Sequence, residues 1–172
     1  MFLLPAMNLN KYCRADKTWA LVTGGSAGVG FETAKELGAA GFNVSIPGHL
    51  PQELHEAACK IQDYAPGTEV KIIVLNAVTA NPEQIEESLA EVLKVPLAVL
   101  VNNVAVSPVT FPGIRFLAEY SATDLDHQIF AIARFMSHVS RILLPNLAVY
   151  GPSTVLSFSS GAVIGVPGIA PY

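Results

Sequence analysis

The chain is 172 residues long, 51% hydrophobic and 14% charged, with a formal net charge of −4. That length suits one domain with a substantial core, and that composition excludes an intrinsically disordered chain. The acidic balance and the lack of a Lys/Arg-rich run argue against nucleic acid as a main partner.

No apolar run approaches the ~20 residues that a membrane-spanning helix needs. The opening Met1 to Met7 is short and lacks the basic lead of a secretory signal, although it is apolar enough to touch a membrane. Cys13 and Cys59 lie far apart, without C-x-x-C spacing, and read as reduced thiols of an intracellular protein. His49, His55, His127 and His138 show no metal-ligand pattern, so no metal site is expected.

In chain order, residues 1–17 read as an N-terminal extension and 18–172 as one domain. Trp19 to Thr23 is the first predicted strand, followed by a helix over Gly28 to Ala40. Phe42 to Pro47 is the second strand and Pro51 to Tyr64 the second helix, entered by Pro in its first turn. Val70 to Leu75 is the third strand. Pro82 to Leu93 is the third helix, again opened by Pro and acidic in its first turn. Leu97 to Val101 is a continuous apolar run suited to burial on both faces of a sheet. The loop from Val104 to Ser121 is long and rich in Pro and Gly, a candidate site-lining segment.

A long helix is predicted over Thr123 to Leu144. Leu125, Ile129, Ile132, Met136, Val139 and Leu143 form its apolar stripe, and Pro145 marks its end. Thr154 to Phe158 is the fifth strand. Regular alternation of strand and helix, with right-handed crossovers, predicts an α/β doubly wound parallel sheet of order 3-2-1-4-5.

The first strand runs into Thr23-Gly24-Gly25-Ser26-Ala27-Gly28-Val29-Gly30 and then a helix. Glycines let the backbone turn tightly and approach a pyrophosphate, and the helix N-terminus offers unpaired N–H groups and a positive dipole end. This is a dinucleotide-binding element in the spacing Gly-x-x-x-Gly-x-Gly. The fourth strand ends in Asn102-Asn103-Val104-Ala105, where an open α/β sheet binds ligand. The fifth ends in Ser157-Phe158-Ser159-Ser160, and Ser159 lies thirteen residues before Tyr172.

Those three signatures, in that order and spacing, resemble the short-chain dehydrogenase/reductase family over about Trp19 to Tyr172. Thr18 to Gly24, Gly41 to Val44, Leu100 to Val104, Ala133-Arg134-Phe135 and Leu143-Leu144-Pro145 are similar to the branch holding 3-ketoacyl-CoA reductases and type-12 17β-hydroxysteroid dehydrogenases, in fungal form. The resemblance implies a Rossmann-type fold. It implies hydride transfer between a nicotinamide dinucleotide and a small apolar carbonyl or alcohol substrate, such as a 3-ketoacyl or steroid-like ketone. Location follows as cytoplasmic or associated with the endoplasmic-reticulum membrane, and the long helix 123–144 as a surface for homo-oligomers.

By the same resemblance Tyr172 is the acid/base and Ser159 the group that orients the substrate oxygen, with Ser160 as alternative. A free Tyr has a pKa of about 10, so the family sets a Lys four residues later to favour phenolate. No residue follows Tyr172 here, and the domain is expected to be truncated at its C-terminal side. A non-catalytic nucleotide-binding or interaction fragment is therefore the alternative reading, one expected to be poorly stable or self-associating.

Expected cofactor contacts are Thr23, Gly24, Ser26, Gly28, Val29, Gly30, His49, Asn76, Asn102 and Asn103. Ala105 stands where the family has Gly, and Ile132 where it has a catalytic Asn; Ile132 reads as a core residue. Asn76 replaces an Asp that accepts from the adenine amino group, and its amide oxygen is expected to accept in turn. No acid follows the second strand to hold the ribose hydroxyls of NAD, and His49 falls where NADP-preferring relatives carry Arg, so NADP(H) is expected over NAD(H).

Overall fold

A computed structural model describes residues 9–13, 18–106 and 116–160 of the chain. Five parallel strands form one sheet: β1 (Trp19–Val22), β2 (Asn43–Gly48), β3 (Val70–Val74), β4 (Leu97–Asn102) and β5 (Thr154–Ser157). Their order is β3-β2-β1-β4-β5, the doubly wound arrangement expected. Between them run α1 (Gly28–Ala39), α2 (Pro51–Tyr64), α3 (Pro82–Leu89), α4 (Ala122–Gln128) and α5 (Phe135–Tyr150), with a π-helical stretch Ile129–Arg134 joining the last two.

Side chains of a strand alternate between sheet faces, and β1 divides its four buried residues accordingly. Ala20 and Val22 pack with Leu37, Leu54 and Ile61 of α1 and α2. Trp19 and Leu21 pack with Ile85, Leu89, Val139 and Leu143 of α3 and α5. In β4 the alternation slips once. Trp19 pairs with Leu97 but Ala20 with Val99, so Ala98 is an extra residue, a bulge. Ala98 and Val99 consequently lie on the α1/α2 face together, while Leu97 and Leu100 lie on the other. Leu9, Tyr12 and Cys13 of the expected extension pack against the α1/α2 layer, with the Cys13 thiol 3.4 Å from the Gly41 carbonyl oxygen.

The long helix departs most from expectation. Its buried positions are Asp124, Gln128, Ala131, Phe135, Val139, Ile142, Leu143, Asn146 and Leu147. Ile129, expected inside, is 56% exposed. The buried residues Asp124, Gln128, Ala131, Phe135, Val139, Ile142 and Asn146 recur at three- and four-residue steps, so the packed stripe is regular but lies to one side of the most apolar residues. The helix also starts where the Ser121 hydroxyl accepts from the Asp124 N–H at 3.1 Å.

Pro145 does not end the helix; α5 continues through it to Tyr150. Tertiary packing outweighs the missing backbone donor, because the turn beyond Pro145 is anchored. Asn146 Nδ2 donates to the Leu93 and Val95 carbonyls at 2.8 and 3.3 Å, and its Oδ1 accepts from the Leu97 N–H at 3.3 Å. That side chain ties α5 to the approach of β4. The third helix is shorter than expected. It opens with a reciprocal cap between Asn81 and Gln84 but stops at Leu89. The chain then tightens into turns such as Val92 N–H to Leu89 O at 2.9 Å. No helix among the described residues is long and apolar enough to cross a membrane.

Candidate functional site

The C-terminal ends of the strands open into a cleft of about 820 Å³. Its floor is held by a small set of hydrogen bonds between β1 and β4. The buried Thr23 hydroxyl donates to the Val101 carbonyl at 3.2 Å and accepts from the Asn103 and Val104 N–H groups at 2.9 and 3.1 Å. Asn103 Nδ2 returns to the Thr23 and Gly24 carbonyls at 3.0 and 3.4 Å. The glycine turn is further tied to β2 through Gly24 N–H to the Pro47 carbonyl, 3.1 Å.

Glycine is required in this turn for two different reasons. At Gly30 a Cβ would lie 2.3 Å from Asn103 Nδ2 and 2.4 Å from the Gly24 carbonyl oxygen, so the helix can reach the turn only without one. Gly28 has φ +55°, the left-handed region, and a Cβ there would meet no protein atom within 4 Å. It faces open cleft.

The N–H groups of the first turn of α1 have no intrahelical partner. Ala27, at the N-cap position, supplies no side-chain hydrogen bond, and the first turn carries no acid. Ser26, Ala27, Gly28 and Val29 line the cleft around these donors. The structure therefore presents a positively polarised, uncapped helix end in a cradle of glycines. This fits a pyrophosphate.

Outward from the turn, the ends of β2 and β3 bring His49, Glu53 and Asn76 to the same cleft. On the other side lie Val104, Ala105 and Val106, the side chains of Ile132, Phe135 and Phe158, and the serines Ser159 and Ser160. Of the expected site residues, Gly24, Ser26, Gly28, Val29, His49, Asn76, Asn103 and Ser159 thus converge. Tyr172 lies outside the described residues, as does half of the glycine- and proline-rich loop, positions 107–115.

Three expected cofactor contacts sit behind the cleft wall instead of on it. The Thr23 hydroxyl is spent on the exit of β4, and Gly30 is packed under Asn103. Asn102 is 6% exposed and its Nδ2 donates to the Ser140 and Ser157 hydroxyls at 3.2 and 3.3 Å, which joins β4 to α5 and β5. Ile132 moves the other way. Expected in the core, it is half-buried on the cleft wall, because Ala131 beside it takes the position on the packed face. Glu53 was not foreseen as a site residue. Its signal was present: it lies one helical turn after His49, in the first turn of α2.

The family model for short chain dehydrogenases matches residues 18–172. The chain belongs to the short-chain dehydrogenases. Very-long-chain 3-oxoacyl-CoA reductases are among its curated relatives, in agreement with the branch that the sequence motifs resemble. That of Mycosarcoma maydis is 29% identical over all of this chain and half of its own length. That of Debaryomyces hansenii is 38% identical over 64% of this chain and 33% of its own length. The chain thus spans about half, or less, of the length of these relatives. Among solved structures, an alcohol dehydrogenase from Thermococcus sibiricus in complex with 5-hydroxy-NADP superposes with a TM-score of 0.80 at 21% identity, covering 91% of this chain and 64% of its own. An NAD⁺-bound xylitol dehydrogenase gives the same TM-score at 19% identity, covering 91% and 58%. These two likenesses establish the shared short-chain dehydrogenase fold.

The packing at Gly30 gives a direct test of the cradle. Gly30→Ala is expected to cost ~3 kcal/mol or more, since one of the atoms in the way is backbone and cannot yield cheaply. Urea denaturation checks it, and a change below ~1 kcal/mol would mean that the turn and helix are not in this contact.

Proposed function

We propose that this chain carries the dinucleotide-binding and substrate-orienting parts of an NAD(P)(H)-dependent oxidoreductase acting on a carbonyl or alcohol, with a 3-oxoacyl thioester as the favoured substrate class. The observation that carries the reading is the uncapped N-terminus of α1, set in glycines, sharing one cleft with Ser159 and Ser160. The nicotinamide, when bound, supplies or takes up the hydride.

The chain's own residues would divide the remaining work. Backbone N–H groups from Ser26 to Val29 would hold the pyrophosphate without any proton exchange. The Ser159 hydroxyl, at the exit of β5, would hold the substrate oxygen by a hydrogen bond, with Ser160 beside it as the alternative donor. Tyr172 would exchange the proton with that oxygen, a role carried by the family resemblance. Ile132, Phe135 and Phe158 make the adjoining wall apolar, which suits an acyl chain and keeps water from the reacting carbon.

The exposed His49 and Glu53 would act in opposition on a ribose 2′-phosphate. The imidazole N–H draws it by a hydrogen bond and the carboxylate repels it, so the NADP(H) preference rests on His49. Self-association through the helical run 123–144 belongs to the same reading, supported by the exposed Ile129 and Leu144.

NADPH titration by nicotinamide fluorescence tests the pyrophosphate site. Gly28→Ala places its methyl in open cleft and is expected to weaken binding by ~10-fold or more, while backbone strain costs only ~1–2 kcal/mol of stability. Equal affinity in variant and parent would remove the pyrophosphate from this turn. His49→Ala should lower the NADPH-over-NADH preference by ~3-fold or more, as expected for loss of one exposed hydrogen-bond partner. An unchanged ratio would leave His49 without a role. Sedimentation velocity at tens of micromolar should show a dimer or larger species, and a monomer there would rule out the helical interface.

A further inference from the structure

β5 is the least supported strand of the sheet. It lies at the edge and pairs with β4 alone among the described strands. Val155 and Leu156 point to opposite faces and are 42% and 48% exposed, so the described helices cover neither face closely. The inner strands β1 and β4 are buried along their whole length. The exit of β5 nevertheless carries Ser159, whose hydroxyl has to stand at a fixed point beside the nicotinamide if it is to hold a substrate oxygen.

One residue holds that exit from two sides. Asn102 ends β4 and is paired with Ser157, which ends β5. Its backbone carbonyl accepts from the Phe158 N–H at 2.9 Å. Its Nδ2 donates to the Ser157 hydroxyl at 3.3 Å and to the Ser140 hydroxyl of α5 at 3.2 Å. Its Oδ1 is buried with no partner among the described residues, so these two hydroxyls are what hold the carboxamide in place. A hydroxyl both donates and accepts, so the bridge needs one at position 140 whichever end of the amide is turned to it. Without Ser140 the carboxamide is tied only to the strand that it positions, and turns with it.

α5 is a firm reference for this bridge. Val139 and Leu143, on either side of Ser140, are fully buried, and Asn146 fastens the helix to the approach of β4. The cofactor side of the cleft has a support of its own. Asn103 Nδ2 donates to the Thr23 and Gly24 carbonyls of the glycine turn. The two neighbouring asparagines thus have separate tasks: Asn103 fixes the cradle, Asn102 fixes the exit of β5, and Ser140 bears on the second alone.

We propose that Ser140 is a positioning residue for the substrate carbonyl. Acting through Asn102 and Ser157, it sets where the Ser159 hydroxyl stands and has no part in holding the dinucleotide. This rests on the reading of Ser159 given above.

The experiment is a calorimetric titration of the full chain, first with NADP⁺ and then, on the NADP⁺-loaded protein, with the acetoacetyl thioester of N-acetylcysteamine. The oxidised dinucleotide cannot reduce the ketone, so binding is read without turnover. Ser140→Ala is expected to leave the NADP⁺ dissociation constant within ~2-fold and to weaken the thioester by ~3–10-fold, the worth of one hydrogen bond. Ser140→Thr keeps a hydroxyl and is expected to return thioester affinity to within ~2-fold of the parent. Unchanged thioester binding in Ser140→Ala overturns the proposal and leaves the substrate reading standing. So does an equal loss of NADP⁺ and thioester affinity, which would make Ser140 a support of the fold alone, and so does a Thr variant that fails to recover. A parent that binds NADP⁺ but no thioester overturns the substrate reading and this proposal with it, and one that binds neither overturns the cofactor reading as well.

Discussion

The rest of the structure depends on the stitching of β1 to β4 through Thr23 and Asn103. In a sheet of order 3-2-1-4-5 the chain leaves β1 toward β2 and β3, then crosses back to β4 and β5. The exits of β1 and β4 diverge at that point, and a crevice opens between them. Parallel pairing sets the strands side by side but says nothing about the loops that leave them. Four side-chain bonds at 2.9 to 3.2 Å, three on the Thr23 hydroxyl and one from Asn103 Nδ2 to the Thr23 carbonyl, lock the glycine turn to the opposite lip of the crevice. A buried hydroxyl making three bonds is well compensated for its burial. Gly30 fits beneath Asn103 because of that lock, and α1 starts where it does because Gly30 fits.

What the lock leaves unsatisfied is as informative as what it satisfies. Asn81 and Ser121 cap α3 and α4 with their own side chains. The first turn of α2 carries Glu53, which offsets its dipole. At α1 there is neither cap nor acid. A helix end of this kind, at the mouth of a cleft and beside a glycine with no neighbour on its open side, lacks only an anion.

The sheet order, the glycine turn and the exit of β4 at Asn103 were legible because each has a short-range cause: an apolar run, a required glycine, a turn at a strand exit. The cleft lining was legible where the backbone alone sets a residue's place, as at Gly28 and Ser26. It was illegible where side chains have two places to go. Thr23 and Asn102 have polar groups suited to a ligand, yet both are spent inside the protein, on Val101 and on Ser140 and Ser157. The phase of the long helix was illegible for another reason. Leu125 and Ile129 are more apolar than Asp124 and Gln128, yet the latter pair is buried. A stripe chosen by residue type places the most apolar side chains inside and gives no sign that two polar ones take those places.

The long helix also sets the character of the cleft near the exit of β5, where Ile132 and Phe135 line the wall. Neither side chain can donate, accept or hold a water molecule by a hydrogen bond. Phe158, 44% exposed at the mouth, extends the same apolar wall. On this side of the cleft the polar side chains among the described lining residues are the two serine hydroxyls. Ser159 is exposed at the exit of β5 with Ser160 beside it, so the hydrogen-bonding side chains of this wall gather at one strand end while Ile132, Phe135 and Phe158 surround them with apolar surface.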